Sequence, residues 1–164
     1  MAREDPVEPE VFTFERLAPG PADMKLLGQR FGELGPDGAV ILLEGPLGAG
    51  KTTFAQGVAA GCGVAGPVAS PTYNLVLHYN GRRRFVHADL YRLQDPAQLE
   101  SLDLDEMLSP RGLACVEWPE LVAGLVRPPY AVIALAREEH GQRLAGRLVG
   151  RAWMGLFEAL ESGG

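Results

Sequence analysis

Residues 39–54 read AVILLEGPLGAGKTTF. Ala39 to Leu43 are apolar without interruption, the pattern of a strand buried on both faces of a parallel sheet. Gly45-Pro46-Leu47-Gly48-Ala49-Gly50-Lys51-Thr52 then fits G-x-x-x-x-G-K-S/T at every fixed position. A helix is predicted from about Lys51 to Gly61, so the pattern stands between a buried strand and a helix. The chemistry explains the residue types. Triphosphate oxygens need several backbone N–H groups converging on one point, and Gly45, Gly48 and Gly50 allow the required turns and close approach. The helix that follows aims its positive end at the phosphates. Lys51 can reach the β- and γ-phosphates, and Thr52 can offer its hydroxyl to Mg²⁺. A plain glycine turn would leave both residues unexplained. The candidate nucleotide contacts are therefore Gly45, Pro46, Leu47, Gly48, Ala49, Gly50, Lys51, Thr52 and Thr53. Lysine is otherwise scarce: Lys25 is the only other one.

Working outward, residues 1–10 carry Pro6, Pro9 and several acids and read as a loose arm; residues 11–164 are expected to form a single domain. Val11 to Leu17 alternates as a strand. Met24, Leu27 and Phe31 recur at helical spacing after Pro19-Gly20-Pro21, with Asp23 placed to cap the helix and Gly35 to Gly38 to end it. Thr72 to Tyr79 and Arg82 to Leu90 read as a hairpin around Asn80-Gly81. Pro96 to Leu108 reads as one helix, and Leu113 to Val116 as a second buried strand ending in Glu117. Leu121 to Val126 allows a turn or two of helix. Tyr130 to Leu135 and Leu144 to Val149 are strands around His140-Gly141, and Trp153 to Leu160 is an amphipathic helix. The predicted fold is α/β: a three-layer P-loop NTPase-like sandwich with a mainly parallel central sheet and antiparallel additions.

A phosphate loop needs a second handle on the metal, usually an acid at the end of a buried strand. Glu117 has that position, unless it is merely a solvated carboxylate. Asp89, closing Val86-His87-Ala88-Asp89, is the other candidate, with a turn cap as its plain alternative. Arg82-Arg83-Arg84 is the only basic cluster and reads better as a solvated strand edge than as a substrate lid. No N-K-x-D-like guanine reader occurs, so ATP is favoured over GTP.

The chain has 164 residues, 46% apolar and 22% charged, with a formal net charge of −6. That balance supports one core without disulfides and argues against a domain that grips nucleic-acid phosphates, DNA included. No apolar run reaches membrane-spanning length, and the acidic start, MAREDPVEPE, is not a secretory signal. Cys62 and Cys115 belong to no metal-ligand spacing and are expected to be reduced, buried thiols of a cytoplasmic protein.

Four segments in order, GPLGAGKTTF (45–54), SPTYNLV (70–76), HADLYRL (87–93) and VEWPE (116–120), together resemble the TsaE (YjeE) family. Its members are P-loop ATPases of the bacterial machinery that makes threonylcarbamoyladenosine in tRNA. The resemblance implies ATP and Mg²⁺ as ligands, with Lys51 on phosphate and Thr52 and Glu117 on the metal. It implies a functional role for Asp89 and a switch-like segment at Ser70, Pro71 and Thr72; by analogy with the switch threonines of other NTPases, Thr72 is expected to sense the third phosphate. Asp89, Glu117 and Thr72 are thus the candidate catalytic residues. Trp118 either belongs to the motif or fills an aromatic core. The resemblance also implies slow hydrolysis linked to the partners TsaB and TsaD, with tRNA met only through the complex. Three positions depart from the family pattern: Pro46 stands where an Asp is common, Tyr73 where Phe is usual, and Leu102-Asp103-Leu104 where L-G-L is usual. Two other functions compete: a small-molecule kinase, which needs an acceptor site not visible in the sequence, and a nucleotide-gated binding module that never turns over usefully.

Overall fold

In the strand Ala39–Glu44, side chains alternate between two buried faces. Ala39, Ile41 and Leu43 point one way, Val40 and Leu42 the other, and all five are no more than 1% exposed. Each face therefore carries its own layer, as the uninterrupted apolar run requires.

The computed structural model describes residues 6–71 and 75–163. In chain order the elements are β1 (Val11–Ala18), α1 (Pro21–Leu34), β2 (Ala39–Glu44), α2 (Lys51–Gly61), β3 (Val76–Asn80), β4 (Arg84–Asp89), α3 (Leu104–Leu108), β5 (Leu113–Glu117), β6 (Tyr130–Glu138), β7 (Gly141–Val149) and α4 (Met154–Ser162). The strands form one sheet in the order β1-β7-β6-β2-β5-β4-β3. β6, β2, β5 and β4 run parallel at its centre. Antiparallel pairs extend it on both sides, β7 and β1 at one edge and β3 at the other. The expected α/β sandwich is therefore present, with the parallel part confined to the four central strands.

On one face Phe14, Phe31, Ile41, Phe54, Phe85, Cys115 and Trp153 join the sheet to α1, α2 and α4. On the other, Val40, Leu42, Val86 and Val116 pack against Leu99, Met107 and Val122 of the short helical segments. Both cysteines are buried and free. Burial pushes the Cys62 thiol up to about 11 and raises Cys115 as well, so neither is an activated nucleophile.

Three expectations are corrected. The predicted helix Pro96 to Leu108 is two pieces. A 3-10 turn covers Pro96–Ser101, Leu102 is extended, and Asp103 starts α3 by accepting the Glu106 N–H at 3.2 Å. The leucine spacing continued through a residue whose side chain caps a new helix. Of the strand predicted from Thr72 to Tyr79, Leu75 is not a member: it has φ 59° and its N–H turns back to the Pro71 carbonyl, and β3 runs from Val76. Thr72 and Tyr73 themselves, like residues 1–5, lie outside the described residues. Finally, the arginine cluster is a solvated surface only in part: Arg82 and Arg84 are exposed, but Arg82 and Arg83 also reach helix ends. Arg82 donates to the Gly61 carbonyl at the end of α2. Arg83 donates to Gly32 and Gly35 at the end of α1 and pairs with Asp37 at 2.8 Å. Both guanidiniums satisfy helix carbonyls that have no intrahelical partner.

Asp23 does cap α1, from inside its first turn: Oδ2 accepts the Gly20 N–H at 3.0 Å. Among the described residues no helix is long and apolar enough to cross a membrane.

Candidate nucleotide site

The parallel centre of the sheet brings three strand ends to one edge: β2, which runs into the glycine loop, β5, which ends in Glu117, and β4, which ends in Asp89. In register, Leu43 lies beside Glu117 and Asp89 lies beside Glu117. The loop turns back at Gly45, with φ 144°, where a Cβ would come within 2.5 Å of the Leu135 carbonyl of β6. Glycine is needed there for both its conformation and its size. The loop then enters α2, whose first-turn N–H groups at Lys51, Thr52 and Thr53 have no intrahelical acceptor and face this edge.

The loop, α2 and the two acids enclose a cleft of about 300 Å³, and Lys51, Thr52, Asp89, Glu117 and Trp118 stand on its walls with Ser70. Of the loop residues, Leu47, Gly48, Gly50 and Thr53 also line it. Ala49 turns into the core, and Pro46 contributes its carbonyl. Thr72, the remaining candidate, lies outside the described residues.

Lys51 is 5% exposed. Its Nζ donates to the carbonyls of Gly45 at 2.6 Å and Pro46 at 2.8 Å, and the Trp118 ring covers it with the centroid 4.2 Å away. Burial lowers the Lys51 pKa, and Glu117, Asp89 and Glu120 oppose that shift. An ammonium held by two neutral carbonyls in a partly dry cleft gains by meeting an anion. Trp118 is thus neither wholly core nor solvent: it is half-buried, with φ 55°, and packs on Tyr91 at 4.8 Å between ring centroids.

Thr52 Oγ1 donates to both carboxylate oxygens of Glu117, at 3.0 and 3.1 Å. The other side of that carboxylate meets His87 Nε2 at 2.6 Å. Asp89 accepts the Tyr91 N–H at 3.0 Å, so it caps a turn and lines the cleft at once. Burial raises the Asp89 pKa, with Glu117 adding to the shift and Tyr91, His87 and Lys51 opposing it. Among the described residues no group of three or more His, Cys, Asp or Glu could cage a metal alone. One hydroxyl and one carboxylate instead suit Mg²⁺, which keeps waters and takes phosphate oxygens as its other ligands.

Sequence reading did not find Arg137 and Gln142, whose side chains each reach the Gly48 carbonyl at 3.3 Å. They line a second cleft of about 380 Å³ with Gly20 and Met24, and it shares Gly48, Gly50 and Thr53 with the first. Their signal is topological: β6 pairs with β2, so the β6–β7 turn lies beside the loop.

Comparison with known proteins agrees with this geometry. The chain is 40% identical over 142 residues to the tRNA threonylcarbamoyladenosine biosynthesis protein TsaE of Bacillus subtilis, covering 85% of this chain and 89% of that one. It is 40% identical over 128 residues to the protein of the same name from Mycobacterium tuberculosis, covering 72% and 76%. Among solved structures, the crystal structure of Bacillus YdiB superposes with a TM-score of 0.74 at 27% identity, over 94% of this chain and 97% of that one. The model for threonylcarbamoyl adenosine biosynthesis protein TsaE matches residues 18–145, a span that takes in the glycine loop, Asp89, Glu117 and the β6–β7 turn, and the chain belongs to that family.

Proposed function

We propose that this protein binds and slowly hydrolyses ATP with Mg²⁺ as the nucleotide-dependent component of tRNA threonylcarbamoyladenosine synthesis, working with TsaB and TsaD. The observation that carries the reading is the Thr52–Glu117 contact, which joins the first turn of the loop's helix to the end of β5. A hydroxyl and a carboxylate meet there, beside a glycine loop and a buried lysine. The relatives' names supply the process.

On this reading the amides of the loop and of the α2 first turn hold phosphate oxygens, and Lys51 Nζ leaves its two carbonyls for the β- and γ-phosphates. Thr52 and Glu117 would hold Mg²⁺, which would offset the negative charge of the phosphates. Asp89, whose carboxyl burial makes more basic, orients water and accepts its proton. Thr72 senses the third phosphate. The base extends toward the neighbouring cleft at Arg137 and Gln142. The protein works in the cytoplasm and meets tRNA through the complex.

Glu117→Gln keeps the size but removes the charge and one of the two acceptor oxygens. It is expected to lower Mg²⁺-dependent phosphate release about 100-fold, while ATP affinity in chelator stays within about threefold. Full turnover in that variant would remove Glu117 from the metal site.

The deciding assay is phosphate release from ATP by this protein alone and with a TsaB–TsaD pair. Slow release that the pair stimulates supports the proposal. Transfer to an added small acceptor would show a kinase, and tight binding with no release even beside the pair would show a nucleotide-gated module.

A further inference from the structure

His87 lies on β4, fully buried, beside Phe85 with ring centroids 6.1 Å apart. Its Nε2 meets Glu117 Oε2 at 2.6 Å, and its Nδ1 is buried with no hydrogen-bond partner among the described residues. An orphaned ring nitrogen costs stability, and a leucine or phenylalanine would fill the slot without that cost. Packing therefore does not account for a histidine here; the bond made by its other nitrogen does. The Glu117 carboxylate, which shares the single Thr52 hydroxyl proton between its oxygens, has only lone pairs to offer, so the His87 bond is an Nε2–H donated to it. The orphan is then a lone pair, the less costly kind.

The position follows from register. Asp89 pairs with Glu117 and His87 with Cys115, so 87 and 117 point to the same face of the sheet, toward α2. Glu117 is a side chain of three rotatable bonds near a buried ammonium, Lys51, with which it interacts electrostatically. Released from His87, the carboxylate is free to turn onto that ammonium, drawing one group from the metal and the other from phosphate.

We propose that His87 is a positioning residue for the Mg²⁺ site: its Nε2–H anchors Glu117 Oε2 and keeps Oε1 beside the Thr52 hydroxyl. The proposal rests on the ATP–Mg²⁺ reading above. It parallels metal sites in which hydrogen bonds to the ligands set metal affinity.

The test compares wild type with His87→Leu, which lacks the donor, and His87→Gln, whose amide N–H reaches the same place. Mn²⁺ affinity is measured by electron paramagnetic resonance with a saturating non-hydrolysable ATP analogue, and analogue affinity is measured by calorimetry in chelator. His87→Leu is expected to weaken Mn²⁺ binding 10- to 100-fold, with analogue affinity in chelator within about threefold and His87→Gln close to wild type. If His87→Leu does not fold, His87→Asn, whose shorter amide stops short of Glu117, takes its place with the same expected loss. Unchanged Mn²⁺ affinity in the donor-deleted variant, an equal loss in His87→Gln, or an equal loss of analogue affinity in chelator would overturn the proposal. Wild type that binds the analogue with no metal dependence overturns the metal reading, and wild type that binds no analogue overturns the nucleotide reading itself.

Discussion

Lys51→Ala is expected to weaken ATP binding by about 100-fold or more, read by calorimetric titration in Mg²⁺ buffer. The size follows from the loss of two charge-assisted hydrogen bonds to phosphate, about 1.5–3 kcal/mol each. The fold should survive. The Lys51 ammonium touches two carbonyls of its own loop and the Trp118 ring, and none of these carries the core. Unchanged affinity in a folded Lys51→Ala protein would contradict the assignment of the loop.

Gly32→Ala is expected to cost about 3 kcal/mol or more and to lower Tm by roughly 10 °C, read by thermal unfolding. α1 and α2 cross at four glycines, two from each helix. A Cβ at Gly32 would stand 2.1 Å from the Val58 carbonyl oxygen, and one at Gly28 2.3 Å from that of Phe54. From the other side, a Cβ at Gly57 would stand 2.3 Å from the Lys25 carbonyl oxygen, and one at Gly61 2.2 Å from that of Gln29. The obstructing atoms are backbone and cannot rotate aside, so the helices must separate. Because α2 carries Lys51 and Thr52 on its first turn, separation also moves the site. Gly155→Ala in α4, where nothing lies within 4 Å, serves as control and should be neutral or mildly stabilising. A Gly32→Ala protein melting within about 2 °C of wild type would contradict this account of the helix contact.

What the sequence disclosed and what it withheld divide along one line, the reach of the interaction. The unit β2–loop–α2 was legible because its signals are local: a buried run, a glycine pattern, a helix start. Glu117 and Asp89 were legible because each closes an apolar stretch. The helix-end contacts of Arg82 and Arg83 went unread because their partners, the ends of α2 and α1, are about 20 and 50 residues distant in the chain. Arg137 and Gln142 come beside the loop only through the pairing of β6 with β2. The pattern HADLYRL contained His87, yet its bond to Glu117 depends on the parallel register of β4 and β5. Leucine spacing from Leu99 to Leu108 hid the cap at Asp103, since periodicity reports which faces are buried and not where a helix begins anew.

The most direct measurement is a crystal structure of the protein grown with Mg²⁺ and a non-hydrolysable ATP analogue. The account predicts β- and γ-phosphates against the amides of residues 47–53, with Lys51 Nζ moved from the Gly45 and Pro46 carbonyls onto phosphate oxygens, and the metal between Thr52 and the phosphates with Glu117 beside it. Nucleotide bound elsewhere, or Lys51 still held by its own loop beneath Trp118 with the phosphates in place, would contradict it.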